Sequence, residues 1–160
     1  MGQTVTLNRL LSIRSKLKER GRTVVFTNGC FDLIHKGHLD YLRRSKSFGE
    51  VLIVAVNSDR SVRKIKGKGR PVLPQKDRAE IIAALEPVDY VFIFNEETPL
   101  RVINVLKPDI LVKGADYELR EIVGAREVKS WGGRVKRVKL TQGRGTREII
   151  QTILRDFSRS

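Results

Sequence analysis

Both histidines of the 160-residue chain fall in one short run, TNGCFDLIHKGHLDYL (residues 27–42), three positions apart with a lysine and a glycine between them. An apolar strand that ends near residue 28, followed by a helix that starts near Gly37, aims backbone N–H groups and the positive end of a helix dipole at one point, where anions are favoured. Histidines three apart share one face of a helix, and Gly37 has no side chain to keep a ligand from the backbone. Two imidazole donors, helix amides and a glycine together make a cradle for a phosphoryl group. Other readings of the same residues compete. Zinc takes three or four ligands, so His35 and His38 would need Cys30 and Asp32 to complete a site. Cys30 as a nucleophile would need a base within hydrogen-bond reach, and a small buried residue at a strand end is the alternative. The dinucleotide fingerprint G-x-G-x-x-G does not follow the first strand, and GKGRP does not match the P-loop pattern.

A second basic cluster, RKIKGKGRP, holds Arg63, Lys64, Lys66, Lys68 and Arg70. Read alone it is a charged, solvated loop. Placed at the same end of the sheet as the histidines, with Gly67 and Gly69 as hinges, it becomes a candidate lid over bound anions. Lys113 and Asp116 in LVKGADY, and Asn57 and Asp59 in AVNSD, lie just past apolar runs. Lys113 could take a phosphate and the others sugar hydroxyls, or each could be a turn or capping residue.

The elements that must position these groups are legible as alternating periods. Apolar residues at helical spacing predict helices over residues 7–20, 37–48, 75–85, 99–106, 124–131 and 146–157. Strands are expected at 23–28, 51–57, 90–94, 109–112 and 134–140, with residues 58–70 as a basic loop. Continuously apolar strands are what a parallel sheet covered on both faces requires. The expectation is a single-domain, Rossmann-like α/β fold: an open five-stranded parallel sheet with helices on both faces, an N-terminal helix in residues 1–21 and the core in 22–160. Ligands of such sheets bind beyond the carboxyl ends of the strands, where the strand order reverses.

The composition fits one domain with a real core. No apolar run of about 18 residues and no signal-peptide pattern occurs, and Cys30 is the single cysteine, so the chain reads as cytoplasmic, with no membrane partner. The formal charge of +14 implies an anionic partner. A basic RNA-binding module is the alternative from another class, and the few aromatic residues show no stacking array of the kind RNA readers use, which disfavours nucleic acid.

GCFDLIHKGH resembles the G-x-F-D-x-x-H-x-G-H signature of the small nucleotidyltransferases, the cytidylyltransferase-like group that moves a nucleoside monophosphate onto a phosphorylated acceptor. LIVAVNSDRSVRKIKGKGRPVLPQKDRAEIIAALEPVDYV and DILVKGADY are similar to the branch that makes ADP-heptose from D-glycero-β-D-manno-heptose 1-phosphate, over about residues 20–154. The resemblance implies ATP and a phosphorylated sugar as substrates, with Mg2+ carried mainly by the phosphates and no dedicated protein metal ligand. It implies catalytic roles for His35 and His38, with Lys66 of the candidate lid expected to make the transition-state contact and Lys64 next in line, and nucleotide contacts from Thr27, Asn28, Gly29, Cys30, Phe31, Gly37, Gly143, Thr146 and Arg147. Asn57, Asp59, Lys64, Arg70, Lys113 and Asp116 would serve the acceptor. In many relatives this domain follows a sugar kinase in one polypeptide, so a separate kinase is expected to feed this chain. Relatives commonly pair, which admits a homodimer. The same signature also serves cytidylyltransferases acting on glycerol 3-phosphate or another polyol phosphate. One stretch departs from the family: relatives carry Ser-Thr-Thr after a glycine at the start of the last helix, whereas this chain reads GRGTREII, with Gly145 at the serine position and Arg147 at the second threonine.

Overall fold

In the computed structural model, which describes residues 1–139 and 145–157, the chain forms six strands and seven α-helices. The strands are β1 (Gln3–Thr4), β2 (Val24–Gly29), β3 (Val51–Asn57), β4 (Tyr90–Phe94), β5 (Ile110–Gly114) and β6 (Arg134–Val138). The helices are α1 (Leu7–Glu19), α2 (Lys36–Lys46), α3 (Asp59–Lys66), α4 (Gln75–Ala84), α5 (Leu100–Leu106), α6 (Ala125–Ser130) and α7 (Thr146–Phe157), with a 3-10 turn at Leu119–Glu121. All pairings are parallel, in the order β1-β4-β3-β2-β5-β6.

Every residue of β3 is buried, because side chains that alternate across the strand meet helices on both faces. Val51, Ile53 and Ala55 join a core with Leu10 of α1, Val102, Ile103 and Leu106 of α5, and Val128 of α6. Leu52, Val54 and Val56 face the opposite way, onto Leu42 of α2 and Ala79, Ile82 and Ala83 of α4. The two-faced cover follows from handedness. From β2 the chain winds outward through α2, α3 and α4 to β3 and β4, then returns through α5 to β5 on the other side of β2. Right-handed crossovers in opposite directions put their helices on opposite faces. The order therefore reverses between β2 and β5, and the crevice opens at their carboxyl ends.

The single α/β domain and its helices match the sequence expectation, with two differences, and α1 is found packed on its own domain. The sheet has six strands rather than five, because Gln3 and Thr4 add an edge strand beside Tyr90 and Val91. Two residues are too few to show a period. The stretch expected as a basic loop from residue 58 is helical as far as Lys66: the Ser58 side chain caps it by accepting from the Ser61 N–H at 3.2 Å. Its inward face holds only Ser61 and Val62, so no hydrophobic stripe advertises it. The nearly buried Arg14 of α1 donates to Asp109 and to the Lys107 carbonyl, both at 2.9 Å, while the same carboxylate accepts from Val24 N–H at 2.7 Å at the start of β2.

Candidate active site

A cavity of about 690 Å³ lies at the carboxyl ends of β2, β3 and β5, where the strand order reverses. Its walls include Asn28, Gly29, Cys30 and Phe31 after β2, His35, Gly37 and His38 at the start of α2, and Asn57 at the end of β3. Lys66 and Arg70 close one side, Lys113 and Asp116 another, and Thr146 and Arg147 of α7 a third. These residues come from six separate stretches of sequence, and the topology alone gathers them.

The histidines differ in role. His35 is the N-cap of α2, its backbone extended, and its Nδ1 accepts from the Gly37 N–H at 3.1 Å. An accepting Nδ1 leaves the ring proton on Nε2, so neutral His35 is a donor through Nε2. The His38 ring lies 3.9 Å from it, centroid to centroid, tilted by 30°. The Phe31 ring also meets His38, at 5.3 Å between centroids and tilted by 56°. Phe31 itself sits at φ +46°, a conformation most side chains avoid, and the burial of its ring holds it there. Burial pushes the His38 imidazole down to about 4, with His35 adding to the effect. Burial also lowers His35, partly offset by the Glu148 carboxylate. At neutral pH both rings are uncharged donors in a desolvated niche.

The backbone around this pair is tied down by two charged side chains. Asp32, 1% exposed, accepts from Arg70 Nε at 2.6 Å, from Val72 N–H at 2.8 Å and from Leu73 N–H at 3.0 Å. Burial alone would raise its carboxyl, and the bonds from Leu73, Val72 and Arg70 outweigh that and hold it below the ordinary value. Arg78, fully buried at the start of α4, donates to the carbonyls of Cys30, Leu73 (3.0 Å) and Asn57 (2.8 Å) and to the Asp59 carboxylate at 2.8 Å. One guanidinium thus joins the ends of β2 and β3 to the loop before α4.

Most of the residues given catalytic or binding roles above stand on the cavity wall; Thr27, Asp59 and Lys64 do not, nor do Arg63 and Lys68 of the basic cluster. Thr27 is buried behind it, sharing a 2.7 Å hydrogen bond with the Tyr41 hydroxyl, which in turn donates to the Val112 carbonyl at 3.1 Å. Asp59 is the first residue of α3 and is taken by Arg78. Lys64 points along the surface to Glu97 at 2.8 Å. Gly143 lies outside the described residues. Lys66 and Arg147 are exposed at the cavity rim, and Thr146 Oγ1 donates to the Leu33 carbonyl at 3.4 Å. Asn57 lies on the wall, with its Nδ2 donating to Ser61 Oγ at 2.9 Å. The zinc reading loses its fourth ligand, since the Asp32 carboxylate is consumed by Arg70 and two amides. The Cys30 thiol is pushed up by burial, which keeps it protonated and a poor nucleophile. Sequence reasoning missed Arg78, Tyr41 and the anchoring role of Asp32. Arg78 had a signal: it occupies the buried face of α4 with Ala79, Ile82 and Ala83, where a charged residue demands partners.

A cytidylyltransferase-like family model matches residues 26–151, and the chain belongs to that family. It is 52% identical over 151 residues to the bifunctional protein HldE of Geobacter metallireducens, a match that covers 94% of this chain and 31% of the relative. The chain thus spans about a third of that relative's length. Among solved structures it resembles a lipopolysaccharide core biosynthesis protein from Thermoplasma volcanium, with TM-score 0.62 and 31% identity over 76% of this chain and 98% of the other. A pantoate-beta-alanine ligase from Francisella tularensis, solved with Beta-gamma ATP and beta-alanine, shares the fold at TM-score 0.66 and 15% identity, over 89% of this chain and 68% of the other.

Two outcomes follow from the electrostatics. In a proton NMR titration of the free protein, the His38 ring should show a midpoint near 4, and a midpoint above 6 would remove the desolvated niche. Asp32→Asn should lower stability at pH 7 by about 2 kcal/mol, the scale of buried donors left unmatched. Because the folded carboxyl lies below its unfolded value, the contribution of Asp32 is complete above the ordinary carboxyl range and disappears as pH falls through the folded value. Urea midpoints of wild type and variant should therefore converge as pH falls below the ordinary carboxyl range and through the lowered folded value; a constant gap would show that the carboxylate charge is not what holds residues 70–73.

Proposed function

We propose that the chain transfers AMP from ATP to a sugar 1-phosphate, with D-glycero-β-D-manno-heptose 1-phosphate as acceptor and ADP-heptose and pyrophosphate as products. The observation that carries this reading is the stacked pair of neutral histidines at the N-terminus of α2, facing a cavity rimmed by Lys66, Arg70 and Arg147. The family membership and the similarity to HldE support the reaction class. A phosphomonoester has its second pKa near about 6, so the acceptor arrives as a dianion and needs no general base. One of its oxygens forms a bond to the α-phosphorus in line with the bond to the bridging α–β oxygen, which breaks and leaves with pyrophosphate. The protein's work is to hold two polyanions together and to stabilise charge on the α-phosphoryl oxygens.

In this reading His35, through Nε2–H, and His38 donate to the α-phosphoryl oxygens, and the first-turn amides of α2 add their dipole. Lys66, next to the flexible Gly67 and Gly69, swings in from the rim. Arg147 takes the β- and γ-phosphates in place of a hydroxyl. Magnesium enters on the triphosphate, held mainly by phosphate oxygens. Its charge offsets the repulsion between the two substrates. Among the described residues no group of three or more His, Cys, Asp or Glu side chains is placed to hold a metal ion, and the wall's imidazoles and cations suit phosphate oxygens directly. No described helix is long and apolar enough to cross a membrane, and we place the reaction in the cytoplasm.

A pyrophosphate-release panel crossing ATP and CTP with heptose 1-phosphate, glycerol 3-phosphate and other sugar phosphates tests the reading. Turnover is expected with ATP and heptose 1-phosphate, and preference for CTP with glycerol 3-phosphate would replace it with the cytidylyltransferase alternative. In the same assay His38→Ala should lose about a hundredfold or more in kcat while ATP binding partly survives, the scale of one preorganised donor.

A further inference from the structure

Five carboxylates among the described residues line the cavity, and four of them have company. Asp32 is held by Arg70 and two amides, Glu97 by Lys64 at 2.8 Å, and Glu121 Oε2 accepts from the Glu118 N–H at 3.0 Å. Asp116 lies on the β5 side, where its charge favours the Lys113 ammonium. The fifth, Glu148 in the first turn of α7, has no ion pair or hydrogen bond from its side chain among the described residues.

Glu148 reaches the cavity through the stretch in which the chain departs from its relatives. Gly145, at the serine position, leaves room for the Glu148 side chain to fold back over the start of α7, because a Cβ on residue 145 would collide with Oε2. The side chain borders both the cavity and a groove of about 330 Å³ between the starts of α2 and α7, so it stands at the wall the two share. It is near enough to His35 for its charge to oppose the effect of burial on that ring. Its neighbour Arg147 is the residue assigned above to the β- and γ-phosphates. A bare carboxylate at that point repels a triphosphate and works against every cation around it. The conflict disappears when the nucleotide arrives with a divalent cation. Magnesium is held by phosphate oxygens, waters and one or two carboxylates, and Glu148 offers one carboxylate beside the phosphates.

We propose that Glu148 faces the metal ion carried by the triphosphate, and that this contact makes the chain select the metal-bound nucleotide over the free one. This deepens the AMP-transfer reading and rests on it for the position of the triphosphate. One carboxylate is not a metal site on its own, in keeping with the lack of any larger His, Cys, Asp or Glu group placed for a metal among the described residues. The metal stays on the phosphates, and Glu148 adds a single oxygen, directly or through a metal-bound water. Gly145, Arg147 and Glu148 then act as a set. The glycine gives up a hydroxyl and admits the carboxylate, the arginine supplies positive charge for phosphate, and the glutamate supplies negative charge for the metal.

The test is calorimetric titration of the whole chain with α,β-methylene ATP, once with Mg2+ and once with EDTA in its place, so that turnover plays no part. The ratio of the two dissociation constants measures the coupling between metal and nucleotide. Wild type should bind the metal complex more tightly, by a factor on the order of 5–150. Glu148→Gln keeps the side-chain shape and removes the charge. It should bind the metal-free nucleotide more tightly and the metal complex more weakly, cutting the ratio by about tenfold. Glu148→Asp, with the carboxylate on a shorter stem, should give a ratio between the two. An unchanged ratio in Glu148→Gln, including equal tightening of both forms, overturns the inference, because the carboxylate would then only repel anions or cap α7. ADP-heptose formation by wild type would leave the AMP-transfer reading intact in that case. Failure of wild type either to bind the nucleotide or to adenylylate heptose 1-phosphate overturns both.

Discussion

A guanidinium cannot shed its proton inside a protein, so the fully buried Arg78 must be surrounded by oxygens, and the rest of the site follows from where they come from. Cys30 supplies one from the signature loop, Asn57 one from the end of β3, Leu73 one from the loop before α4, and Asp59 a carboxylate from the start of α3. Each of these oxygens lies at the carboxyl end of the sheet. Satisfying one side chain therefore fixes the relative positions of loops that no regular secondary structure connects. Asp32 does the complementary work with opposite charge, gathering Arg70 and two amides of the same loop. Breaking either cluster leaves buried polar atoms unmatched at about 1–3 kcal/mol apiece, which is why these loops can be irregular and still define a cavity.

On that frame the electrostatics of the cavity is layered by depth. The exposed cations, Lys66 and Arg147, can attract anions from solution. Deeper in, burial pushes the His38 imidazole down to about 4, so that ring is neutral, and lowers the Lys113 ammonium to about 8, where it still carries most of its charge at neutral pH. Neutral imidazoles donate hydrogen bonds without the desolvation cost of a cation. The net charge of +14 raises the local concentration of anions around the chain, while the buried rings offer hydrogen-bond donors of fixed geometry.

Much of this was legible in the sequence because the responsible forces are local or periodic. The all-apolar runs of β2 and β3 announce a sheet covered twice, and the alternation of strands and helices places the loops at one end. The histidine stretch stands out through residue type and spacing, and both its rings and Gly37 line the cavity. What stayed hidden depends on contacts distant in the chain. Lysines and arginines dominate the exposed face of α3, and its inner face is a serine and a valine, so its hydropathy reads as a loop. Asp59 looked available for a sugar hydroxyl until Arg78, nineteen positions later, was found to hold it. Thr27 sits beside the signature but turns toward Tyr41, and Lys64 turns to Glu97, because side-chain direction is settled by neighbours the sequence does not bring near.

The central claim is that the α-phosphate of the nucleotide is held by ring nitrogens of both His35 and His38, which pack against each other at the start of α2. A crystal structure of the chain with α,β-methylene ATP and Mg2+ tests it most directly. The account predicts α-phosphoryl oxygens within about 3 Å of a ring nitrogen of each histidine, with the β- and γ-phosphates toward Arg147. A triphosphate seated elsewhere in the cavity, or a zinc ion bridging the two rings, would contradict it.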